Sequence, residues 1–139
     1  MMRERQALQR AVAVMALVPV ASGLYGVLLG LNGIGRGGLV DVSADSHFRY
    51  LSGLHMGIGI LFWTCVPGIE TKTTLVRFLT LVVALGGLAR LLGWALTGLP
   101  SFLMLAALAV ELLVSPLLCL WQARVAARAA DAMPGGVIG

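Results

Sequence analysis

The chain has 139 residues, of which 59% are hydrophobic and only 12% are charged, and its net charge is +4. A soluble domain carries about twice that share of charged residues, and the mean hydropathy here is +0.96. The composition therefore excludes an ordinary soluble domain and indicates a helical membrane protein. The basic residues flank apolar segments, so we interpret the positive charge as an orientation signal and expect no nucleic-acid partner.

Four apolar segments are long enough to cross a bilayer, which takes about 20 residues of helix. They cover residues 11–31, 48–67, 74–97 and 102–121. We therefore predict an all-α fold, an integral membrane four-helix bundle within residues 11–123. A basic segment, 1–10, precedes it, and a cytoplasmic tail, 124–139, follows; the Gly-rich stretch after Asp131 is predicted to be disordered. The first segment exceeds the apolar region of a signal peptide, about 7–15 residues, so we expect it to be retained.

The basic residues are distributed unevenly around these segments. Seven of the ten flank the ends that share one predicted side, namely Arg3, Arg5, Arg10, Lys72, Arg77, Arg124 and Arg128. The opposite side has Arg36 in its loop and Arg49 at the membrane boundary. The positive-inside rule then predicts that both termini are cytoplasmic.

A permanent cation lies inside the third apolar segment. Arg90 precedes Gly98 by eight residues, which places it about 12 Å from the outer end of the segment. Glu111 follows Ser101 by ten residues, about 15 Å from the same end of the fourth segment. Only a short turn joins these segments, so they must be antiparallel neighbours. We predict a structural ion pair between Arg90 and Glu111, since either charge alone costs about 3 kcal/mol at a helix centre in the membrane.

Other polar side chains reach the same outer half of the predicted bundle. They are Tyr25, Arg49, Ser52 and His55. Together with Arg90 and Glu111 they are predicted to form an outward-facing, ligand-binding pocket above an apolar inner half. An alternative interpretation is that the ion pair only fixes the register of the helices. Asp45 or Ser46 is predicted to be the N-cap of the second span.

Small residues recur every four positions and predict close helix packing. The three sets are Ser22, Gly26 and Gly30; Gly53 and Gly57; and Ala89, Gly93 and Thr97. Pro19 and Pro116 fall inside spans, where each removes a backbone donor and kinks its helix. Cys65 and Cys119 have no metal-ligand spacing, and the sequence carries no cofactor motif, so we expect neither a metal nor a cofactor.

Three stretches carry a family resemblance: "DSHFRYLSGLHMGIGILF", "GGLARLLGWALTGLPS" and "AVELLVSPLLCLWQ". Over about residues 10–125 the chain resembles the small bacterial membrane proteins grouped as domain of unknown function 4345, which are similar in layout to DoxX-like four-helix proteins. The resemblance implies a multi-pass protein of the bacterial inner membrane. It implies no activity. The family positions correspond here to His47, Arg49, Gly53, Arg90, Pro100 and Glu111.

The pattern favours a protein that binds a membrane lipid or another small amphipathic ligand, with Arg90 and Arg49 at its head group. A second hypothesis is a structural or accessory subunit, within a homo-oligomer or a larger membrane complex. A third is an isomerase-type enzyme that uses Glu111 and His55 as acid and base. The third is disfavoured because the Arg90 charge favours ionised Glu111, a poor general acid. No residue is assigned as catalytic.

Overall fold

The structure is a computed structural model that describes residues 2–34 and 40–132. Within these ranges the backbone forms helices and turns without any strand, which confirms the all-α prediction. The long helices are α1 (Met2–Leu29), α2 (Val42–Cys65), α3 (Thr73–Thr97) and α4 (Phe102–Asp131). Short 3₁₀ helices follow α1 and α2, at Gly30–Ile34 and Ile69–Thr71 respectively.

Three helical stretches are long and apolar enough to cross a membrane. They are Met2–Ile34, Thr73–Thr97 and Phe102–Asp131. Helix α2 is not among them, because Arg49, Ser52 and His55 interrupt the apolar part of its sequence. A membrane crossing by residues 48–67 therefore stays a prediction.

The helices extend beyond the apolar segments that predicted them. Helix α1 begins at Met2, so it includes most of the basic segment. Helix α4 continues to Asp131, through much of the predicted tail. Disorder was predicted after Asp131, and residues 133–139 lie outside the described part of the chain.

Helix α2 begins at Val42, six residues before the predicted span. Its N-cap is Asp41, whose carboxylate accepts a hydrogen bond of 2.7 Å from the Ala44 amide. The prediction of Asp45 or Ser46 as the cap is therefore wrong. Polar residues can continue a helix into water, and a count of apolar residues does not detect that continuation.

Contacts within the chain define two compact units, which we describe separately. The N-terminal unit consists of residues 10–67. The C-terminal unit consists of residues 1–9 and 68–139.

In the N-terminal unit, α1 and α2 approach closely at glycines. A Cβ at Gly23 would lie 2.6 Å from the Met56 amide nitrogen, and a Cβ at Gly26 would collide with Ser52 Oγ. Further along the pair, Trp63 Nε1 donates to the Ala13 carbonyl at 2.9 Å. The predicted stripe on α1 is therefore present at Gly26 and at Gly30, where a Cβ would meet the side chains of Asp45 and Arg49 on α2.

The predicted packing role of the other small residues is not uniform. A Cβ at Gly53 would meet only the end of the Val27 side chain, at 3.8 Å. No atom lies within 4 Å of a Cβ at Gly57 or Gly93, among the residues that the structure describes. The spacing of four places residues on one face of a helix but does not say which partner that face meets.

In the C-terminal unit, α3 and α4 are joined by a turn at residues 98–101. Gly98 has a φ of 99°, a backbone conformation that glycine adopts without steric cost. At the other end of the two helices, the fully buried Gln122 donates to the Ile69 carbonyl at 2.8 Å and to Thr73 Oγ1 at 2.9 Å. These bonds fix α4 to the segment that leads into α3.

Two ion pairs lie at the same end of the C-terminal unit. Arg128 Nη1 is 2.6 Å from Glu4 Oε2, and Arg5 Nε is 3.1 Å from Glu70 Oε2. The second contact lacks hydrogen-bond geometry at Glu70 Oε2. These pairs bring the first turn of α1, the Ile69–Thr71 segment and the end of α4 together.

Candidate functional site

The predicted ion pair between Arg90 and Glu111 is present in the C-terminal unit. Arg90 Nη2 donates to Glu111 Oε1 at 2.9 Å, and Arg90 Nε donates to Glu111 Oε2 at 3.0 Å. Both carboxylate oxygens are therefore engaged in a bidentate, charge-assisted contact. The Glu111 side chain is 11% exposed and that of Arg90 is 34% exposed. The Glu111 side chain is therefore mostly buried, whereas about a third of the Arg90 side chain is accessible.

Glu111 lies in a π-helical segment, Val110–Val114, that interrupts α4. The amide of Ser115 donates to the carbonyl of Val110, which is five residues earlier. Pro116 follows directly, and a proline ring clashes with the carbonyl four residues before it. A wider turn relieves that clash, and single π turns of this kind are frequent at functional sites.

Gly87 allows the π segment to approach α3 one turn before Arg90. A Cβ at Gly87 would lie 2.8 Å from Leu112 Cδ2 and 3.0 Å from Glu111 Cβ. Neighbouring Gly86 has no atom within 4 Å of its corresponding position, among the described residues. The close approach of the two helices at Gly87 brings the Glu111 carboxylate within hydrogen-bond distance of Arg90.

Met104 is the second residue that Arg90 contacts, and its sulfur is the third acceptor atom. Arg90 Nη1 lies 3.1 Å from Met104 Sδ, with hydrogen-bond geometry. Met104 and Glu111 are seven residues apart, which is close to two helical turns and places them toward the same neighbour. A thioether sulfur is a weak acceptor, so this contact is the weakest of the three.

A second ion pair lies in the N-terminal unit. Arg49 Nε donates to Asp45 Oδ2 at 2.7 Å, and Arg49 Nη1 donates to the carbonyls of Val27 at 2.6 Å and Leu28 at 3.1 Å. Asp45 Oδ1 accepts from the Leu31 amide at 2.7 Å. Arg49 thus satisfies carbonyls at the C-terminal end of α1, where a cation also complements the helix dipole.

The electrostatics of this pair favour an ionised carboxylate. The hydrogen bond from Arg49, followed by that from the Leu31 amide, lowers the pKa of Asp45 below its ordinary value, against a smaller opposing effect of burial. Gly30, with a φ of +60°, leaves room for this arrangement, because a Cβ there would collide with Asp45 Oδ1.

Two further predicted site residues also contact their own unit. The Tyr25 hydroxyl donates to the Gly33 carbonyl at 2.6 Å, and Ser52 Oγ donates to the Phe48 carbonyl at 2.8 Å. His55 lies on α2 and is partly exposed. Tyr25, Arg49, Ser52 and His55 therefore belong to the N-terminal unit, whereas Arg90 and Glu111 belong to the C-terminal unit. A single pocket that contains all six residues stays a prediction.

Several residues of these clusters were not identified from the sequence. Met104 could have been found from its spacing of seven to Glu111. Asp45 was predicted only as an N-cap, and its pairing with Arg49 could have been found from their spacing of four, which is typical of helical ion pairs. The role of Gly87 has no clear signal beyond its distance of three residues from Arg90. Among residues 2–34 and 40–132, no three His, Cys, Asp or Glu side chains are grouped to hold a metal ion.

A small cleft lies at the opposite end of the C-terminal unit. Its volume is about 120 Å³, and Met2, Val125 and Ala129 line it together with the Arg5–Glu70 and Glu4–Arg128 pairs. The charged groups of this cleft pair with one another. We therefore take the Arg90 cluster, defined as Arg90, Glu111 and Met104, as the candidate site.

These features define an all-α protein with helices of membrane-spanning length and a buried arginine–glutamate pair between two of them. The sequence matches the family described as Domain of unknown function (DUF4345) over residues 7–122, and the chain belongs to this family. The matched region includes both ion pairs, Asp45–Arg49 and Arg90–Glu111. No curated protein and no solved structure matches the chain.

Proposed function

We propose that the protein is a multi-pass protein of the bacterial inner membrane that binds a lipid-like amphipathic ligand at the Arg90 cluster. Three helices of membrane-spanning length support the location. The first turn of α1, the Ile69–Thr71 segment and the end of α4 meet at one end of the C-terminal unit. These ends carry most of the basic residues, which supports a cytoplasmic position for both termini and an outward position for Arg90.

The observation that carries the ligand proposal is the incomplete pairing of Arg90. Glu111 occupies one edge of the guanidinium, and the remaining contact of Arg90 within the described residues is to a thioether. An arginine within a membrane segment is costly, and such residues commonly mark binding sites or pathways. About a third of the Arg90 side chain is exposed, so a ligand has access to it.

The proposal is restricted to the C-terminal unit. Arg49, Tyr25 and Ser52 each have partners within their own unit, which favours a structural role for them over a head-group contact. The isomerase hypothesis required Glu111 as an acid or base. Both of its oxygens accept hydrogen bonds from Arg90, so no observation favours that hypothesis.

Native mass spectrometry of the protein from gentle detergent tests the proposal. Wild type is compared with the Arg90→Leu/Glu111→Leu double variant, which removes both charges together. We expect a lipid or other amphiphile to remain bound to wild type and to be lost from the variant. Wild type without any bound molecule, or retention of the same molecule by the variant, would contradict the proposal.

A second candidate function is that of an accessory subunit in a homo-oligomer or a larger membrane complex. Gly86 and Gly93 on α3 have open space where a side chain would begin, within the described part of the chain. Small residues on an open face allow a further helix to approach closely. The mass of the solubilised assembly distinguishes the two candidates, since an accessory subunit keeps its partners when Arg90 and Glu111 are replaced.

A further inference from the structure

We infer that the ligand of the Arg90 cluster is an electrically neutral amphiphile that binds through a carbonyl oxygen and displaces Met104 Sδ from Arg90. This inference rests on the proposed function and specifies the chemistry of its ligand. It depends on the number of donors on Arg90, on the kind of group that can accept them, on the charge of the cluster, and on the accessibility of Met104.

The first step is the number of hydrogen bonds that Arg90 makes. A guanidinium carries five N–H donors. Within residues 2–34 and 40–132, Arg90 donates to Glu111 Oε1, Glu111 Oε2 and Met104 Sδ. Two of the five N–H groups therefore have no acceptor among these residues, and a third donates only to the weakly accepting sulfur. The site therefore offers donors to a ligand.

The second step is the kind of group that accepts these donors. Arg90 has no acceptor, and both oxygens of Glu111 are already engaged. A ligand hydroxyl or amine brings a hydrogen that could bond here only to a further lone pair of these carboxylate oxygens, on a side chain that is 11% exposed and already held by Arg90. A carbonyl oxygen, in an ester or a ketone, accepts from Arg90 without bringing a hydrogen that needs a partner.

The third step is charge. The positive charge of Arg90 is balanced by Glu111 at 2.9 Å and 3.0 Å. A phosphate, carboxylate or sulfonate would give the cluster a net negative charge next to a carboxylate that is 11% exposed. Excess charge is unfavourable where water is excluded, whereas a neutral carbonyl adds none. The balance of charge therefore selects against anionic head groups.

The fourth step is access. Met104 is 38% exposed, and its unbranched side chain has three rotatable bonds. Its sulfur can move away from Arg90 Nη1 while both bonds to Glu111 remain. The oxygen of the ligand then takes the place of a weaker acceptor, and the helix-to-helix ion pair stays closed.

A matched pair of probes tests the inference, namely a long-chain methyl ester and a sulfonate of the same chain length. Each is titrated into the purified full-length protein in neutral detergent, and bound probe is counted by native mass spectrometry. We expect wild type to prefer the ester by at least about tenfold. Preference for the sulfonate would overturn the inference and leave the proposed function standing. Binding of neither probe would overturn both.

The Glu111→Gln substitution removes the negative charge of the cluster with almost no change in side-chain size. Arg90 then has no balancing carboxylate, so we expect the preference to change from the ester to the sulfonate. An unchanged ester preference in a folded Glu111→Gln variant would show that charge does not select the ligand. If this variant does not fold, the wild-type preference alone decides the question.

Two further variants test the exchange at Met104. Met104→Leu removes the sulfur at similar volume, so we expect ester affinity to rise, because no acceptor has to be displaced. A tenfold or larger loss of ester affinity would contradict displacement. Gly86→Ala, on the same helix with open space around it, is the control and leaves both affinities unchanged.

Discussion

Arg49 and Arg90 each pair with one carboxylate, yet their remaining donors meet different partners. Arg49 bonds to Asp45 on its own helix and to two backbone carbonyls of α1. Arg90 bonds to Glu111 on a neighbouring helix and to the thioether of Met104. Arg49 caps the C-terminal end of α1, whereas Arg90 joins two helices and has N–H donors left for a ligand.

The difference shows why an arginine in an apolar segment is not by itself a binding site. Backbone carbonyls at a helix end are strong acceptors that the chain must satisfy, so an arginine near them serves the fold. In the middle of a helix the carbonyls are already bonded within the helix. An arginine there must find side-chain partners, and any donors left over are available to a ligand.

The largest expected effect is that of Arg90→Leu. The variant leaves the buried Glu111 without a partner, and loss of one member of a buried pair costs about 3–5 kcal/mol. We expect a large fall in the free energy of unfolding, measured by thermal or denaturant unfolding in detergent. The Arg90→Leu/Glu111→Leu double variant should be much milder. A double variant no more stable than the single one would contradict a coupled pair.

A smaller loss is expected from Gly87→Ala. The added methyl group would lie within 3.0 Å of Leu112 and Glu111 and would force α3 and the π segment apart. Overpacking of this kind costs about 1–3 kcal/mol. Gly86→Ala is the matched control and should be neutral or slightly stabilising, since alanine favours a helix over glycine. Equal unfolding curves for the two variants would show that the close approach at Gly87 is unimportant.

Arg49→Met should destabilise the protein by about 1 kcal/mol, because the cation at the C-terminal end of α1 is lost while the apolar part of the side chain is retained. Thermal unfolding of wild type, Arg49→Met and Arg49→Lys measures this effect. The lysine variant keeps the charge and should recover part of the loss. If the lysine and methionine variants are equally stable, the charge of Arg49 does not stabilise the end of α1.

The smallest effect concerns Asp45 and depends on pH. Its pKa is lowered in the folded protein, chiefly by Arg49. Its contribution to stability is therefore complete above its ordinary pKa and is lost as the pH falls through the lowered value. The difference in melting temperature between wild type and Asp45→Asn should be constant near neutral pH and should shrink below about pH 4. A difference that grows on acidification would contradict this assignment.

Much of the fold follows from the arrangement of apolar residues. Each of the four apolar segments coincides largely with one long helix, although α1 and α2 each end two residues before their segments do. The short turn at Gly98 correctly predicted α3 and α4 as neighbours. The start of α2 was missed because Asp41 caps a helix whose first turns are polar. Hydropathy identifies the apolar part of a helix, whereas the helix itself can continue into the polar residues on either side.

The sequence predicted a contact of the candidate site where the position of two residues along adjacent helices was enough to identify them as partners. Arg90 and Glu111 lie at similar depths on joined helices, so their contact followed from counting residues. Depth does not give direction around a helix axis. For that reason the placement of Tyr25, Arg49 and Ser52 beside Arg90 stays a prediction, and their side chains form hydrogen bonds within the N-terminal unit. Met104 was missed because a thioether has little polarity.

The π segment makes α4 equivalent to an α-helix with one inserted residue. Each residue of an α-helix turns the chain by about 100°, so the insertion puts the two halves of α4 out of phase by about that angle. Glu111 and Gln122 therefore point in directions that no single helical wheel reproduces. Deletion of one residue between Val110 and Val114 would convert α4 into a regular α-helix. Either Glu111 would then turn away from Arg90, or Gln122 would turn away from Ile69 and Thr73.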